Sequence, residues 1–337
     1  MYDTVRLFIC QALPPGTLQG IGATCEQQVN HSTGEVKVKW HLNDGPLHLT
    51  YHPNTVERPP LVLVESSIVK LLCGDNVTML WDARPALDKL GAVVDGRVPG
   101  LPPVEEWGVS RFDACMNVRM AGEEQCQAYV LSLARQRIAR HKTITWFDES
   151  VEFMTKAHSH KHYRKSVEYF SKDKGGSLTH DQVDGVYRME TRLEGADTIR
   201  RRLKLRQGAG VLEVLQPENS LRLLRGDLAS LGLGVRLLAG DSYLLQLVHA
   251  FGPDDAADLY GFVYLLHLVG GRDNLLAMGY GRAKYYRLVK RLKDAGFSLT
   301  LPEGEAELPL LRLPDLADLA DLVTPDGIIP PDRIPEL

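Results

Sequence analysis

Two short stretches alternate polar and apolar residues with a period of two, and this constrains the fold more than any other feature of the chain. Over residues 109–118, Val109, Arg111, Asp113, Cys115 and Asn117 fall on one face, and Phe112, Ala114, Met116 and Val118 fall on the other. Over residues 185–193, Val186, Arg188, Glu190 and Arg192 share one face, while Tyr187, Met189 and Leu193 share the opposite one. Such alternation marks strands with one face on a core and the other left polar. Two strands that each set arginine beside a carboxylate could line one site. Cross-strand ion pairs on a solvated sheet face are the competing reading.

Further strand and helix signals surround this pair. Residues 2–10 and 35–52 read as strands, with Asn43-Asp44-Gly45-Pro46 as a turn, and 61–65 is an apolar run of strand length. Residues 66–72 suggest a short helix closed by Gly74-Asp75-Asn76, and 78–94 and 123–140 have helical spacing. Helical spacing then dominates over 218–231, 241–252, 255–269, 272–279 and 282–296. The last of these follows a Gly279-Tyr280-Gly281 turn and carries Lys284, Arg287 and Lys290, the outline of a helix-turn-helix or winged-helix module. At 337 residues the chain suits more than one core. The reading is α+β: an antiparallel-sheet domain over 1–212 with helices on one face, a mainly α-helical domain over 213–305, and a loosely ordered Pro-, Leu- and Asp-rich tail over 306–337.

Composition excludes several classes. No stretch approaches the roughly 20 apolar residues a membrane span needs, and the opening Met1-Tyr2-Asp3-Thr4-Val5-Arg6 lacks a signal-peptide profile. A cytosolic protein without a membrane partner is expected. The five cysteines (Cys10, Cys25, Cys73, Cys115 and Cys126) include no CxxC pair and read as buried free thiols. Net charge is −4, so overall charge does not mark a nucleic-acid binder. The basic run Arg200-Arg201-Arg202-Leu203-Lys204-Leu205-Arg206 and the tyrosine-containing run over 284–293 are local exceptions, each equally readable as a solvated helix face. Gln207-Gly208-Ala209-Gly210 lacks a following GK[ST] and reads as a linker.

The segment 142–174 carries the chemistry. It reads as a β-hairpin whose second strand runs into a helix near Tyr163, with the pattern Tyr163-x-Lys165-x-x-Glu168. A phenol has a pKa of about 10 and attacks a phosphodiester only when a neighbouring group favours the phenolate and charge is withdrawn from the phosphate. Lys165 could supply the cation. Glu168, with Asp113 and Glu190, could supply hard oxygen ligands for Mg²⁺ or Mn²⁺. His158 and His160 would share one strand face and could bind a metal or a phosphate; a polar hairpin turn is the competing reading. Tyr169 is a second candidate nucleophile.

These motifs together resemble the replication initiators of filamentous bacteriophages, the gene II protein family found also on related plasmids. The resemblance spans most of the first 200 residues. It includes Tyr2-Asp3-Thr4-Val5-Arg6-Leu7, the segment from Glu65 to the Gly74-Asp75-Asn76 turn, Ser110-Arg111-Phe112-Asp113, Thr143-Ile144-Thr145-Trp146, Tyr163-Arg164-Lys165-Ser166-Val167-Glu168 and Arg188-Met189-Glu190-Thr191-Arg192. Between Trp146 and Tyr163 the chain carries extra residues, so a longer hairpin is expected. The resemblance implies that Tyr163 attacks the scissile phosphate, leaving a 5′-phosphotyrosine and a free 3′-OH, and later rejoins the displaced strand. It also implies single-stranded and duplex origin DNA as partners, with a host helicase and polymerase. Arg111, Arg188 and Arg192 would hold the single strand across the sheet, and the C-terminal helices would contact duplex DNA. A relaxase or transposase using the same phosphotyrosine chemistry, and a non-enzymatic DNA-binding regulator, are the competing functions.

Overall fold

The structure, a computed structural model, describes residues 1–29, 31–32, 36–53, 58–134, 141–146, 148–172, 177–231, 240–295, 297, 299, 311 and 313–336. The chain opens with β1 (Tyr2–Ile9), a short helix α1 (Thr17–Gly20), then β2 (Thr24–Val29), β3 (Val36–Asp44), β4 (Leu47–His52) and β5 (Leu61–Ser67). Next come α2 (Ile68–Cys73), the short β6 (Met79–Leu80), α3 (Arg84–Arg97), β7 (Gly108–Arg119) and α4 (Glu123–Ala134). A meander of β8 (Lys142–Trp146), β9 (Ser150–Met154) and β10 (His158–Arg164) leads into α5 (Lys165–Lys172), α6 (His180–Val183) and β11 (Val186–Glu194). Helices follow: α7 (Ala196–Leu203), α8 (Val211–Val214), α9 (Pro217–Leu231), α10 (Gly240–Phe251), α11 (Pro253–Leu268), α12 (Arg272–Ala277) and α13 (Arg282–Asp294). The chain ends with α14 (Leu316–Ala320) and β12 (Ile328–Ile329).

Ten strands form one sheet in the order β2-β3-β4-β5-β1-β7-β11-β10-β9-β8. Every pairing is antiparallel. The alternating pattern explains its position. Val5, Leu7, Val62, Val64, Phe112, Ala114, Met116, Met189 and Leu193 form one core with Leu87, Leu90, Leu133, Ile199, Leu203 and Leu224 from the helices. The helices therefore cover the apolar face, and the opposite face carries the arginines and carboxylates.

The strand β1 is irregular where it meets β7. Tyr2 pairs with Ala114 and Val5 with Phe112, so two residues of β1 (Asp3 and Thr4) lie opposite Asp113 alone. A bulge of this kind re-aims side chains, and here Asp3 reaches Arg188. At the end of α2, Gly74 adopts φ +85° and donates its backbone N–H to Lys70 O, a left-handed closure glycine enters without strain. The chain then turns through Asp75, whose Oδ1 accepts from Val77 N and Thr78 N, and this holds the Asn76 carbonyl toward Arg188.

Several expectations are corrected. The hairpin before Tyr163 is a three-stranded meander, because the extra residues after Trp146 form β9. Over 78–94, the start is strand β6 and the helix begins at Arg84, with Pro85 in its first turn and Asp82 Oδ1 accepting from Arg84 N. The helix expected over 123–140 is seen to Ala134; 135–140 lie outside the described residues. Cys115 and Cys126 are buried free thiols, but Cys10 and Cys25 are exposed and Cys73 is half-buried.

The sheet core does not stop at residue 212. Leu221, Leu224, Leu228 and Leu231 of α9 belong to it. The tail is packed against it as well: Leu319 and Ile329 are fully buried, and β12 pairs with β6 through Ile328–Leu80 and Ile329–Met79. The apolar spacing of Leu316, Leu319, Ile328 and Ile329 supplies that contact within a stretch whose proline content suggested disorder. A second apolar cluster gathers Tyr243, Leu247, Leu259, Phe262, Leu275, Tyr285, Leu288 and Leu292 from α10 to α13. Lys284, Arg287 and Lys290 lie on the exposed side of α13. Among the described residues no strand pair follows α13 as a wing, and most of 296–310 lies outside them.

The packed tail has a measurable consequence. Leu319→Ala should lower stability by about 2–5 kcal/mol, as for buried leucines generally. Urea unfolding would check this, and a loosely ordered tail would instead give a loss within about 0.5 kcal/mol.

Candidate active site

The polar face of the sheet holds a cavity of about 310 Å³. Its floor comes from five adjacent strands: Asp3 and Thr4 of β1, Arg111 and Asp113 of β7, Glu190 and Arg192 of β11, Ser159, Lys161 and Tyr163 of β10, and Glu152 of β9. Asn76 and Glu168 of α5 complete the lining. Strand register explains the gathering. Arg192 lies between Asp113 and Ser159, Glu190 between Cys115 and Lys161, and Arg188 between Asn117 and Tyr163.

Tyr163 is the penultimate residue of β10, which ends at Arg164, and Lys165 opens α5. The Tyr163 ring is 96% withdrawn from solvent (4% exposed), and its hydroxyl donates to Glu190 Oε2 at 3.2 Å. Burial pushes the phenol well above its ordinary value; Arg188 pulls it down, while Glu190 and Glu168 add to the rise. The phenol is therefore held protonated, with a carboxylate in place to accept the proton.

Lys165 is fully buried, with Nζ 2.5 Å from Glu168 Oε2 and 5.6 Å from the Tyr163 ring centre. Burial and the nearby Arg188 bring its ammonium down to about 8, against the pull of Glu168. Its contact with Tyr163 is to the ring, so the hydroxyl's partner is Glu190 rather than the lysine expected from the sequence. Lys161 stands nearer the same ring, its Nζ at 4.9 Å. Sequence reading passed over Lys161, Ser159 and Glu152, although spacing by two from Tyr163 along β10 points to the first two. Asp3 and Asn76 were visible only as motif members.

The carboxylates are tied to cations. Asp113 accepts from Arg111 Nε at 3.0 Å and Nη2 at 2.6 Å, and from Arg192 Nε at 3.2 Å. Burial raises its carboxyl to about 6, against the Arg111 hydrogen bond, with Glu190's charge adding to the rise. Glu190 lies 3.7 Å from Arg188 Nε and 3.6 Å from Arg192 Nη2. Among the described residues, no cluster of three or more His, Cys, Asp or Glu side chains is arranged to hold a metal ion.

The three expected DNA-holding arginines separate. Arg188 is fully buried, donating to Asp3 Oδ2 at 2.6 Å and to the Asn76 carbonyl at 2.5 Å, and is a framework residue. Arg111 is mostly buried between Glu65 and Asp113. Arg192 is the one of the three with substantial exposure, 35% of its side chain. A lone sequence does not distinguish these, because each sits at the same alternating position.

The histidines and the second tyrosine also move. His158, His160 and His162 point to the opposite, helix-covered face, away from Tyr163. His158 Nε2 is 3.1 Å from Asp227 Oδ2 of α9, and His160 Nδ1 is 3.6 Å from the same oxygen, which also accepts from Thr191 Oγ1 at 2.5 Å. Burial alone would raise Asp227, but the two imidazoles hold it below the ordinary carboxylate range. They are buried strand residues, not a turn, and they do not share the cavity. Tyr169 is buried, and its hydroxyl oxygen accepts from Leu178 N at 3.2 Å, so it is a packing residue.

No protein-family model matches the chain, and no curated protein does. Among solved structures it is similar to a di-domain ARO/CYC, BexL, from the BE-7585A biosynthetic pathway, at TM-score 0.21 and 10% identity over 60% of this chain and 74% of that one. A likeness at that score carries no argument.

His162 gives a pH signature. Burial brings its imidazole down to about 3, with His160 adding to the fall, so the folded state stays neutral where the unfolded chain, near 6.5, binds a proton. Its contribution to stability is complete above about pH 6.5 and is lost as pH falls toward 3. Replacement by His162→Asn should flatten the acid limb of a stability–pH curve measured by urea unfolding over that window. An unchanged limb would contradict the neutral buried imidazole.

Proposed function

We propose that this chain is a rolling-circle replication initiator that nicks one DNA strand through Tyr163. The observation that carries the reading is the hydrogen bond from the Tyr163 hydroxyl to Glu190 inside a cavity lined by acids and cations on an open sheet face. A buried packing tyrosine also needs a hydrogen-bond partner, as Tyr169 has in a backbone N–H. The partner of Tyr163, however, is an acid that can take the proton, and both groups line a polar cavity. The motif series shared with the gene II family supports the same assignment.

The chemistry follows from these positions. Glu190 takes the phenolic proton as Tyr163 Oη bonds to phosphorus, and the bond from phosphorus to the 3′-oxygen breaks. That oxygen takes up a proton to become the 3′-OH, and the 5′-phosphate stays on the tyrosine. Arg192 and Lys161 flank the cavity and oppose phosphate charge. The Glu190 charge adds to the rise of the Asp113 carboxyl, and a divalent cation would relieve it. Asp113 and Glu168 are engaged by Arg111, Arg192 and Lys165 as they stand. With Glu190 they would hold Mg²⁺ or Mn²⁺ only after turning from those cations, and the ion would then polarise the scissile phosphate. Reversal of the step with a new 3′-OH rejoins the strand.

The face continues beyond the cavity. A second cavity of about 400 Å³ is lined by Arg6, Lys39, His48, Thr50, His52, Leu63 and Glu65 on the neighbouring strands. His52 is held below its ordinary value chiefly by burial, with the cations Lys39 and Arg58 adding to the fall. Positive potential of this kind suits a polyanion, and single-stranded DNA lying across the sheet would bind with strong salt dependence. The exposed Lys284, Arg287 and Lys290 on α13 would contact duplex origin DNA. Host helicase and polymerase would then extend and unwind from the free 3′-OH.

A covalent-adduct gel with Mn²⁺ on a pool of single-stranded DNAs containing the origin tests this. Wild type and Tyr169→Phe should both form the adduct, and Tyr163→Phe should form none. Absence of any adduct from wild type would overturn the nuclease and leave a DNA-binding regulator.

A further inference from the structure

Trp146 closes β8, and its neighbour across the ladder is Ser150, which in turn pairs with Tyr163. The indole and the tyrosine therefore occupy one row of the polar face, two strands or about 10 Å apart by the usual strand spacing. Trp146 is 43% exposed and belongs to neither apolar cluster. Lys161 spans the gap: its Nζ lies 5.3 Å from the Trp146 ring centre and 4.9 Å from that of Tyr163. A single exposed tryptophan is ordinary on a protein surface. This one is linked to the cavity through Lys161, a lining residue that lies over both its ring and that of the candidate nucleophile.

We propose that Trp146 is the stacking platform for a base of the bound single strand next to the scissile phosphate. Lys161, held over both rings, supplies the countercharge to the phosphate between that base and Tyr163. The ligand is single-stranded DNA, and the contact is tolerant of base identity because every base offers a π-face. The arrangement makes Trp146 a positioning residue: stacking fixes the strand so that phosphorus meets Tyr163 Oη. This rests on the nicking reading for the identity of the scissile phosphate, whereas the stacking itself is read from binding.

The test uses the full chain carrying Tyr163→Phe, which removes chemistry, and a fluorescently labelled single-stranded origin oligonucleotide. Trp146→Ala should weaken binding on the order of 5- to 150-fold, the range for loss of one stacked base, and Trp146→Phe should restore most of it. An abasic residue is then moved along the oligonucleotide. At one position the parent chain should fall to the affinity of Trp146→Ala, and Trp146→Ala should lose nothing more there. Equal urea midpoints for the variants guard against a folding defect.

Unchanged binding by Trp146→Ala, or an identical further loss at every abasic position, would overturn the proposal. So would failure of the parent chain to bind single-stranded DNA. Adduct formation in the Tyr163-containing background separates the two claims. The stacking pattern without any adduct would remove the nicking reading and leave the platform. Adduct with no stacking pattern would do the reverse.

Discussion

The ion pair between Arg188 and Asp3 joins the two halves of the polar face, and the geometry around Tyr163 depends on it. Arg188 is fully buried in β11, a strand near the middle of a ten-stranded sheet. A guanidinium cannot shed its proton there, so its charge must be met by partners. Asp3 and the Asn76 carbonyl supply them, and each is delivered by a local device: the bulge in β1 and the Gly74 turn after α2. The same charge lowers the phenol of Tyr163 and the ammonium of Lys165 against or along with burial. Removing one partner of such a pair typically costs about 3–5 kcal/mol, because the other is left buried and unpaired.

Segregation of the two sheet faces then decides which residues can act together. Along β10 the odd positions Ser159, Lys161 and Tyr163 face the cavity, and the even positions His158, His160 and His162 face the helices. Adjacent residues thus serve unrelated purposes. The histidines tie β10 to α9 through Asp227, and on the opposite face α5 brings Glu168 to the cavity edge. An open polar face of this width suits an extended polymer better than a small enclosed molecule.

Much of this was legible in the sequence, and for a definable reason. Period-two alternation places Arg111, Asp113, Glu190 and Arg192 on one face whatever the strand order, and the structure brings all four to one cavity with Tyr163 and Glu168. Alternation does not report depth, so Arg188 and Arg192 look equivalent although one is a buried strut and the other is partly open. Nor does it report long-range partners. Asp227 lies 67 residues from His160 (227 − 160), and nothing local to the histidines announces it. Strand β9 was hidden because its residues were read as the lengthened arm of a hairpin. The packed tail was hidden because proline and aspartate outweighed four well-spaced apolar residues. Lys161 could have been found by stepping back two from Tyr163, and Trp146 by following the ladder that only the register of β8, β9 and β10 defines.

The central claim is that the Tyr163 oxygen takes the DNA strand. The most direct measurement is mass mapping of the protein–DNA adduct after nuclease trimming and trypsin digestion. Cleavage after Lys161, Arg164 and Lys165 separates His162-Tyr163-Arg164 from the peptide that begins at Ser166 and contains Tyr169. The account expects the nucleotide mass on His162-Tyr163-Arg164 alone. A nucleotide on the Tyr169 peptide, or on any other, would contradict it.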